Sequence, residues 1–155
     1  MYTIVPFEIR HQSEIDELMN EIQQEFEIPF RSPERVPVFE YVLSGHQFWV
    51  ALLEGQLIGT IGLTCFDSNT GIIRNMFVTK EFRGKQPGVA KGLLDVALDK
   101  AKSLNYKQVY LGTMEQFKAA RKFYSKNNFV LIPSTELPLK MTFNPVDDLF
   151  YVLKF

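Results

Sequence analysis

The chain has one cysteine, Cys65, and two histidines, His11 and His46. A single thiol forms neither an internal disulfide nor a Cys-rich zinc site, and it suits a reducing cytoplasm. Two histidines are too few for a histidine-based metal centre, so no metal is expected. An excess of either charge is also missing, because 17 basic and 18 acidic residues leave a net charge of −1. Proteins that bind nucleic acid or anionic membrane are usually strongly basic, so neither partner is expected. No apolar run approaches the ~20 residues of a membrane span. The opening MYTIVPFEIRH has no basic segment followed by an apolar one, so no signal peptide is expected. Internal repeats and low-complexity tracts are absent from the sequence as well.

What is present is apolar surface. Of 155 residues, 46% are hydrophobic and 14 are phenylalanine, which is enough for one well-buried domain over 1–155 and too little for two. In chain order, residues 2–10 read as a strand. A helix from Ser13 to about Glu27 buries Ile15, Leu18, Met19, Ile22 and Phe26, with Ser13 as N-cap. A proline-punctuated loop and a short helix over Val38–Leu43 follow. Strands are expected over 47–54, 56–66 and 72–78, with turns at Glu54-Gly55 and at Asp67–Gly71. In the third of these, Ile73, Asn75 and Phe77 alternate with Arg74, Met76 and Val78, a period of two. A helix then starts at about Gly88 with Val89, Leu93, Val96, Ala97, Ala101 and Leu104 as its stripe. Strand 107–111, helix 115–126, strand 129–132, an irregular stretch 133–148 and strand 149–153 complete an α+β order around one mixed sheet. The strand–helix–strand unit over 72–111 is the right-handed parallel crossover.

Chemistry concentrates in residues 72–98. The turn before a helix has free backbone N–H groups backed by the positive end of the helix dipole, and it binds phosphate well. Gly84 and Gly88 let the backbone approach an anion, while Arg83 and Lys85 add positive charge. Neither the Rossmann G-x-G-x-x-G nor the triphosphate P-loop pattern occurs. Instead, Arg83-Gly84-Lys85-Gln86-Pro87-Gly88-Val89-Ala90 after Asn75-Met76-Phe77-Val78 resembles the acetyl-coenzyme A loop of the GNAT (GCN5-related) N-acetyltransferases, Gln/Arg-x-x-Gly-x-Gly/Ala. Laid on Gly88-Val89-Ala90, the pattern has Lys85 at the Gln/Arg position. Laid on Arg83, it has Gln86 at the first glycine, and both registers stay open. A second stretch, Ala120 to Phe129, is similar to the family's Asn-x-x-Ala-x-x-Phe/Leu-Tyr-x-x-x-Gly-Phe signature, with Phe117 in place of Asn and Asn128 in place of Gly.

The resemblance implies the GNAT fold, a central mixed twisted sheet of about seven strands flanked by about four helices, whose fourth and fifth strands splay around the pantetheine arm. It implies acetyl-CoA as cosubstrate and direct transfer to a primary amine, either small or on a peptide, in a ternary complex. The main chain of Met76, Phe77 and Val78 is then expected to bond the pantetheine and acetyl groups, and Arg83 to Ala90 the pyrophosphate. Phe117, Ala120 and Phe123 are expected along the coenzyme arm, and Tyr124 to protonate the leaving sulfur. Phe77, Val78 and Phe123 suit the core of any fold with this pattern, so only their main-chain role is at issue. For the general base, Glu25, Glu27, Asp147, Asp148 and a chain of waters remain open. The acceptor pocket falls to residues 24–45 and 133–148, which carry no recognisable pattern. A monomer or homodimer is expected. The alternative is a catalytically silent GNAT-fold module that binds acyl-CoA as a sensor or interaction domain.

Overall fold

In the computed structural model, which describes residues 1–32, 34–84 and 88–155, seven strands form one sheet in the order β1-β2-β3-β4-β5-β7-β6. The strands are β1 (Tyr2–Pro6), β2 (Gln47–Leu53), β3 (Gln56–Asp67), β4 (Thr70–Val78), β5 (Gln108–Thr113), β6 (Val130–Ile132) and β7 (Leu149–Lys154). The helices are α1 (Gln12–Gln23), α2 (Val38–Leu43), α3 (Val89–Ser103) and α4 (Lys118–Lys126). Every pairing is antiparallel except β4 with β5. That pair is joined through α3, the crossover expected from the sequence.

The two largest of three hydrophobic clusters lie on opposite faces of the sheet. On one face α3 buries Leu93, Leu94, Ala97 and Ala101, each 0% exposed, against Ile61, Leu63 and Ile73. On the other, Ile15, Leu18, Met19 and Ile22 of α1 pack with Phe48, Val50 and Leu57. Complete burial of one leucine side chain contributes about 2 kcal/mol, so α3 is a main anchor of its face. Asn105 and Asn128 take the left-handed conformation, at φ 63° and 72°, after α3 and α4 respectively. Asparagine tolerates that region, so the helix stops expected at these positions do form.

Several boundaries differ from expectation. Helix α1 starts at Gln12 after a one-turn helix at Ile9–His11, and no side-chain cap bond closes it. Ser13 is therefore inside the helix rather than its cap. Helix α4 begins three residues later than expected, because Phe117 at its N-cap is non-helical (φ −85°, ψ 63°). Leu104, placed on the buried stripe of α3, is 36% exposed, while Leu94, outside that stripe, is fully buried.

The difference that matters most lies in β4. Its period of two breaks, because Gly62 faces Arg74 while Thr60 faces Phe77, which leaves one extra residue on β4. Asn75 sits at φ 47° within this bulge, and its carbonyl accepts a hydrogen bond from the buried Thr60 hydroxyl at 2.7 Å. A bulge bends its strand and increases the local twist. As a result Ile73, Met76 and Val78 pack with the α3 core, whereas Phe77 joins the α1 side. β4 pairs with β5 only at Thr70, Gly71 and Ile72. β5 continues along β7 instead, through Thr113 opposite Leu149. The two parallel strands therefore part beyond Ile72 and leave an opening between them.

Asn75→Gly keeps the left-handed backbone open and should leave the protein about as stable as the parent. Asn75→Val meets the steric penalty of a branched side chain at positive φ, about 1–2 kcal/mol, or a fall in Tm of roughly 2–8 °C for a chain of this length. Thermal and urea denaturation of both variants measure it, and equal stability of the two would contradict the bulge.

Candidate active site

The opening between β4 and β5 is a cavity of about 580 Å³, bounded by the outer half of β4, the start of α4 and the loop that precedes β7. Met76, Phe77, Val78, Gly84 and Ala90 line it from the β4–α3 side. Phe117, Ala120, Phe123 and Tyr124 line it from α4. Lys85, Gln86 and Pro87 lie outside the described residues. Gly88 is the N-cap of α3 at φ 76°, held by the Tyr2 hydroxyl, which donates to its carbonyl at 3.3 Å. Val89 turns its side chain into the core, so only its backbone belongs to the helix start. Two sequence stretches about 35 residues apart thus meet on one cavity, with the N-terminus of α3 at its edge.

Arg83 behaves differently from a free rim cation. Its guanidinium grips both carboxylate oxygens of Glu25, at 2.6 and 2.8 Å, and its Nε donates to the Val78 carbonyl at 2.8 Å. This bidentate pair ties the end of α1 to the turn after β4, and it neutralises the Arg83 charge.

Phe77 and Phe117 line the cavity as rings. Phe30 stacks on Phe77 with centroids 5.0 Å apart, and Phe117 meets Phe26 and Phe30 edge-on at 4.7 and 5.4 Å. This aromatic wall lies on the α1 side of the sheet. At the position where the family motif has Asn, Phe117 supplies packing instead of a side-chain hydrogen bond.

Tyr124 is buried among Phe123, Phe129 and Tyr151. Its hydroxyl has no hydrogen-bond partner among the described residues, and it borders the cavity. Burial, reinforced by the negative charge of Asp147, raises its pKa well above the ordinary tyrosine value. The hydroxyl therefore stays protonated at any physiological pH.

Sequence reasoning left Asp147 as one of several bases. The structure brings it to the cavity, where it is the one lining carboxylate among the described residues. The loop carrying it closes over β5 at Gly112, where a Cβ would stand 3.0 Å from Asp147 Oδ2 and 2.7 Å from a Phe143 ring carbon. Asp148 instead fastens the loop to the start of α4, accepting from the Glu115 N–H at 3.0 Å. Glu25 is occupied by Arg83. Burial raises the Asp147 pKa from 3.8 to about 6, opposed by the positive charge of Arg74 and a backbone hydrogen bond.

Arg74 was also missed, since an arginine inside a strand reads as a solvated face. The bulge, invisible in the sequence pattern, leaves it half-buried on the α1 side of the sheet. Its Nε donates to Thr64 Oγ1 at 3.3 Å, its Nη2 to the Thr142 carbonyl at 2.9 Å, and its guanidinium lies 5.2 Å over the Phe143 ring. Burial lowers its pKa, while Tyr41 and Asp147 oppose that shift. The two histidines act structurally: His11 Nδ1 accepts from the Glu8 N–H and His46 Nδ1 from the Cys65 N–H, at 2.9 and 3.1 Å.

A sheet that parts between two parallel strands, with a glycine-capped helix start at the edge of the gap, is the arrangement of an acyl-coenzyme A transferase class of fold. The chain belongs to the acetyltransferase (GNAT) family, whose family model matches residues 15–129. It is 38% identical over 116 residues to N-acetylaspartate synthetase of Danio rerio, covering 72% of this chain and 40% of that protein. The chain thus spans about 40% of the length of that relative. A GNAT-family acetyltransferase from Staphylococcus aureus is 31% identical over 99% of both chains, with a TM-score of 0.89. N-acetylglutamate synthase from Neisseria gonorrhoeae, solved with coenzyme A and N-acetyl-glutamate, shares the fold at 18% identity and a TM-score of 0.78, covering 99% of this chain and 35% of that one.

The raised pKa of Asp147 links stability to pH. Between about 4 and 6 the native state binds a proton that the unfolded chain has released, so native stability falls as pH rises through this window. The stabilisation is complete below pH 3.8 and lost above about 6. Asp147→Asn removes the desolvated charge, and above pH 6 it should gain on the order of 2 kcal/mol over the parent, after discounting for the part open to water. Urea titrations from pH 4 to 7 should show the two proteins diverging as pH rises. Parallel pH profiles would contradict the burial of this carboxylate.

Proposed function

We propose that the chain transfers the acetyl group of acetyl-CoA directly to the neutral nitrogen of a primary amine, with both substrates bound together. The observation that carries this reading is the parting of β4 from β5 after Ile72, which opens the sheet from its α3 face to its α1 face. A thioester entering from one face can there meet an amine entering from the other. The site fits the pantetheine arm and pyrophosphate of coenzyme A. Two of the residues that line it from α4, Ala119 and Ala120, are small, the β4 edge from Ile73 to Val78 has no β5 partner, and Gly88 opens the backbone at the start of a helix of 15 residues. Gly84, Gly88, Val89 and Ala90 face the pyrophosphate through their backbone.

The residues divide the work by environment. A primary amine has a pKa near 10.4 and attacks only after losing a proton. Asp147, ionised at neutral pH yet with a raised affinity for protons, takes it. The nitrogen forms a bond to the carbonyl carbon and releases its second proton to solvent, and backbone N–H groups of the unpaired β4 edge at Met76 to Val78 stabilise the oxyanion until it collapses. As the carbon–sulfur bond breaks, Tyr124 gives its phenolic proton to the sulfur. Deprotonated Tyr124 is costly in this buried site and recovers a proton from Asp147 or solvent. The names of the relatives make amino acids the first amines to test.

Acetyl-CoA or CoA at a hundredfold excess over Kd should stabilise the fold by about 2.7 kcal/mol, raising Tm by roughly 5–10 °C, whereas NADH should not. Loss of that shift would end the reading. With the cosubstrate bound, Tyr124→Phe keeps the ring and its packing. It should lower kcat by about 10–100-fold with Tm and coenzyme affinity nearly unchanged. Unchanged turnover, with chemistry limiting, would remove Tyr124 from the mechanism.

A further inference from the structure

Arg74 and Asp147 form an unusual pair. Each is half-buried, and each feels the other's charge. Yet among the described residues they form no ion pair within 4.0 Å. The bonds that hold Arg74 go to neutral acceptors, a hydroxyl and a backbone carbonyl. Its Nη1 has no protein partner and is not sealed from the cavity. A desolvated guanidinium with open donors and no carboxylate is costly unless something anionic meets it. The bidentate Arg83–Glu25 pair shows how this same chain treats an arginine whose role is to brace two segments.

We propose that the acceptor is an α-amino acid whose carboxylate is held by Arg74 while its amine faces Asp147. This assignment rests on the transfer reading above and adds the substrate class to it. A separated cation and anion lining one cavity match a zwitterion, whose carboxylate and ammonium sit on the same carbon. A simple alkylamine would satisfy Asp147 and leave the guanidinium unmet. Arg74 and Phe77 are adjacent to the bulge, so the feature that parts the strands also aims the guanidinium at the acceptor side.

Space for the amino-acid side chain lies next to this point. A second cavity of about 580 Å³ shares Phe30, Asn75 and Asn144 with the first, and runs on between α1 and the loop before α2. Its walls include Arg31, which bonds Asn20 at 2.8 Å and Asp16 at 3.4 Å. This cavity is polar where the first is aromatic, so it suits a polar side chain better than a bulky apolar one.

The test sets L-amino acids against their decarboxylated amines, with thiol release from acetyl-CoA as the readout and the Tm shift with CoA as a separate check on the transfer reading. At least one amino acid should exceed its amine by about 10²-fold in kcat/KM, mostly through KM, because one charge-assisted contact is at stake. Arg74→Gln should collapse that preference to within about tenfold, and Arg74→Lys should restore part of it. Coenzyme binding without any preference for the carboxylate would overturn the assignment and leave the transfer reading intact. Loss of coenzyme binding in the parent would overturn both. The comparison within the parent needs no variant, so a poorly folding Arg74→Gln does not weaken it. A variant that loses stability yet keeps the full preference would make Arg74 a brace for the Thr142 loop and refute the proposal.

Discussion

The structure depends on β4 and β5 ceasing to pair after Ile72. In a parallel sheet that separation would normally expose two rows of backbone groups, which is costly in an apolar interior. Here each strand is held in place by the neighbour on its other side, while the groups that face the gap stay open to a ligand. β4 stays paired with β3 across the bulge, and β5 remains fully paired with β7 through Thr113. The bulge at Asn75 changes the direction of β4, while the loop ending at Asp148 fastens the end of β5 to α4. The gap is thus a built feature with a rigid frame, and the α3 core beneath it is among the most deeply buried parts of the protein.

That frame sets the electrostatics of the gap. Burial acts on three groups at once and in the direction each proposed role requires. It keeps Tyr124 protonated, raises the proton affinity of Asp147, and strips water from Arg74. None of these groups is neutralised by another side chain within ion-pair distance among the described residues. By contrast Arg83, at the rim, is fully paired with Glu25. Arg83, which braces two segments, is matched, whereas Arg74 and Asp147 have no ion-pair partner within 4.0 Å among the described residues. This contrast is the physical basis for reading the gap as a reaction site whose substrates complete its charge balance.

Much of this architecture was legible in the sequence, and the rest was hidden for identifiable reasons. Helical spacing from Val89 to Ala101, the asparagine stops at 105 and 128, and the turns at Glu54-Gly55 and after Asp67 are local signals, and they held. The two motif stretches, around Gly88 and around Tyr124, are local as well. The bulge was not legible, because an exposed Asn in an alternating strand looks regular until its partner strand is known. Arg74 was lost with it, since its burial follows from the bulge and from Phe143, 69 positions later in the chain. Asp147 could be noticed only as one acidic residue among several. Its selection depends on the loop over Gly112, a contact between segments that no spacing rule connects.

The most direct measurement is a crystal structure with coenzyme A and an amine acceptor bound. The thiol sulfur should lie in the gap between β4 and β5, within about 3.5 Å of the Tyr124 hydroxyl, with the pyrophosphate at the N-terminus of α3. A coenzyme seated on another surface, or one whose sulfur does not reach the gap, would contradict the account.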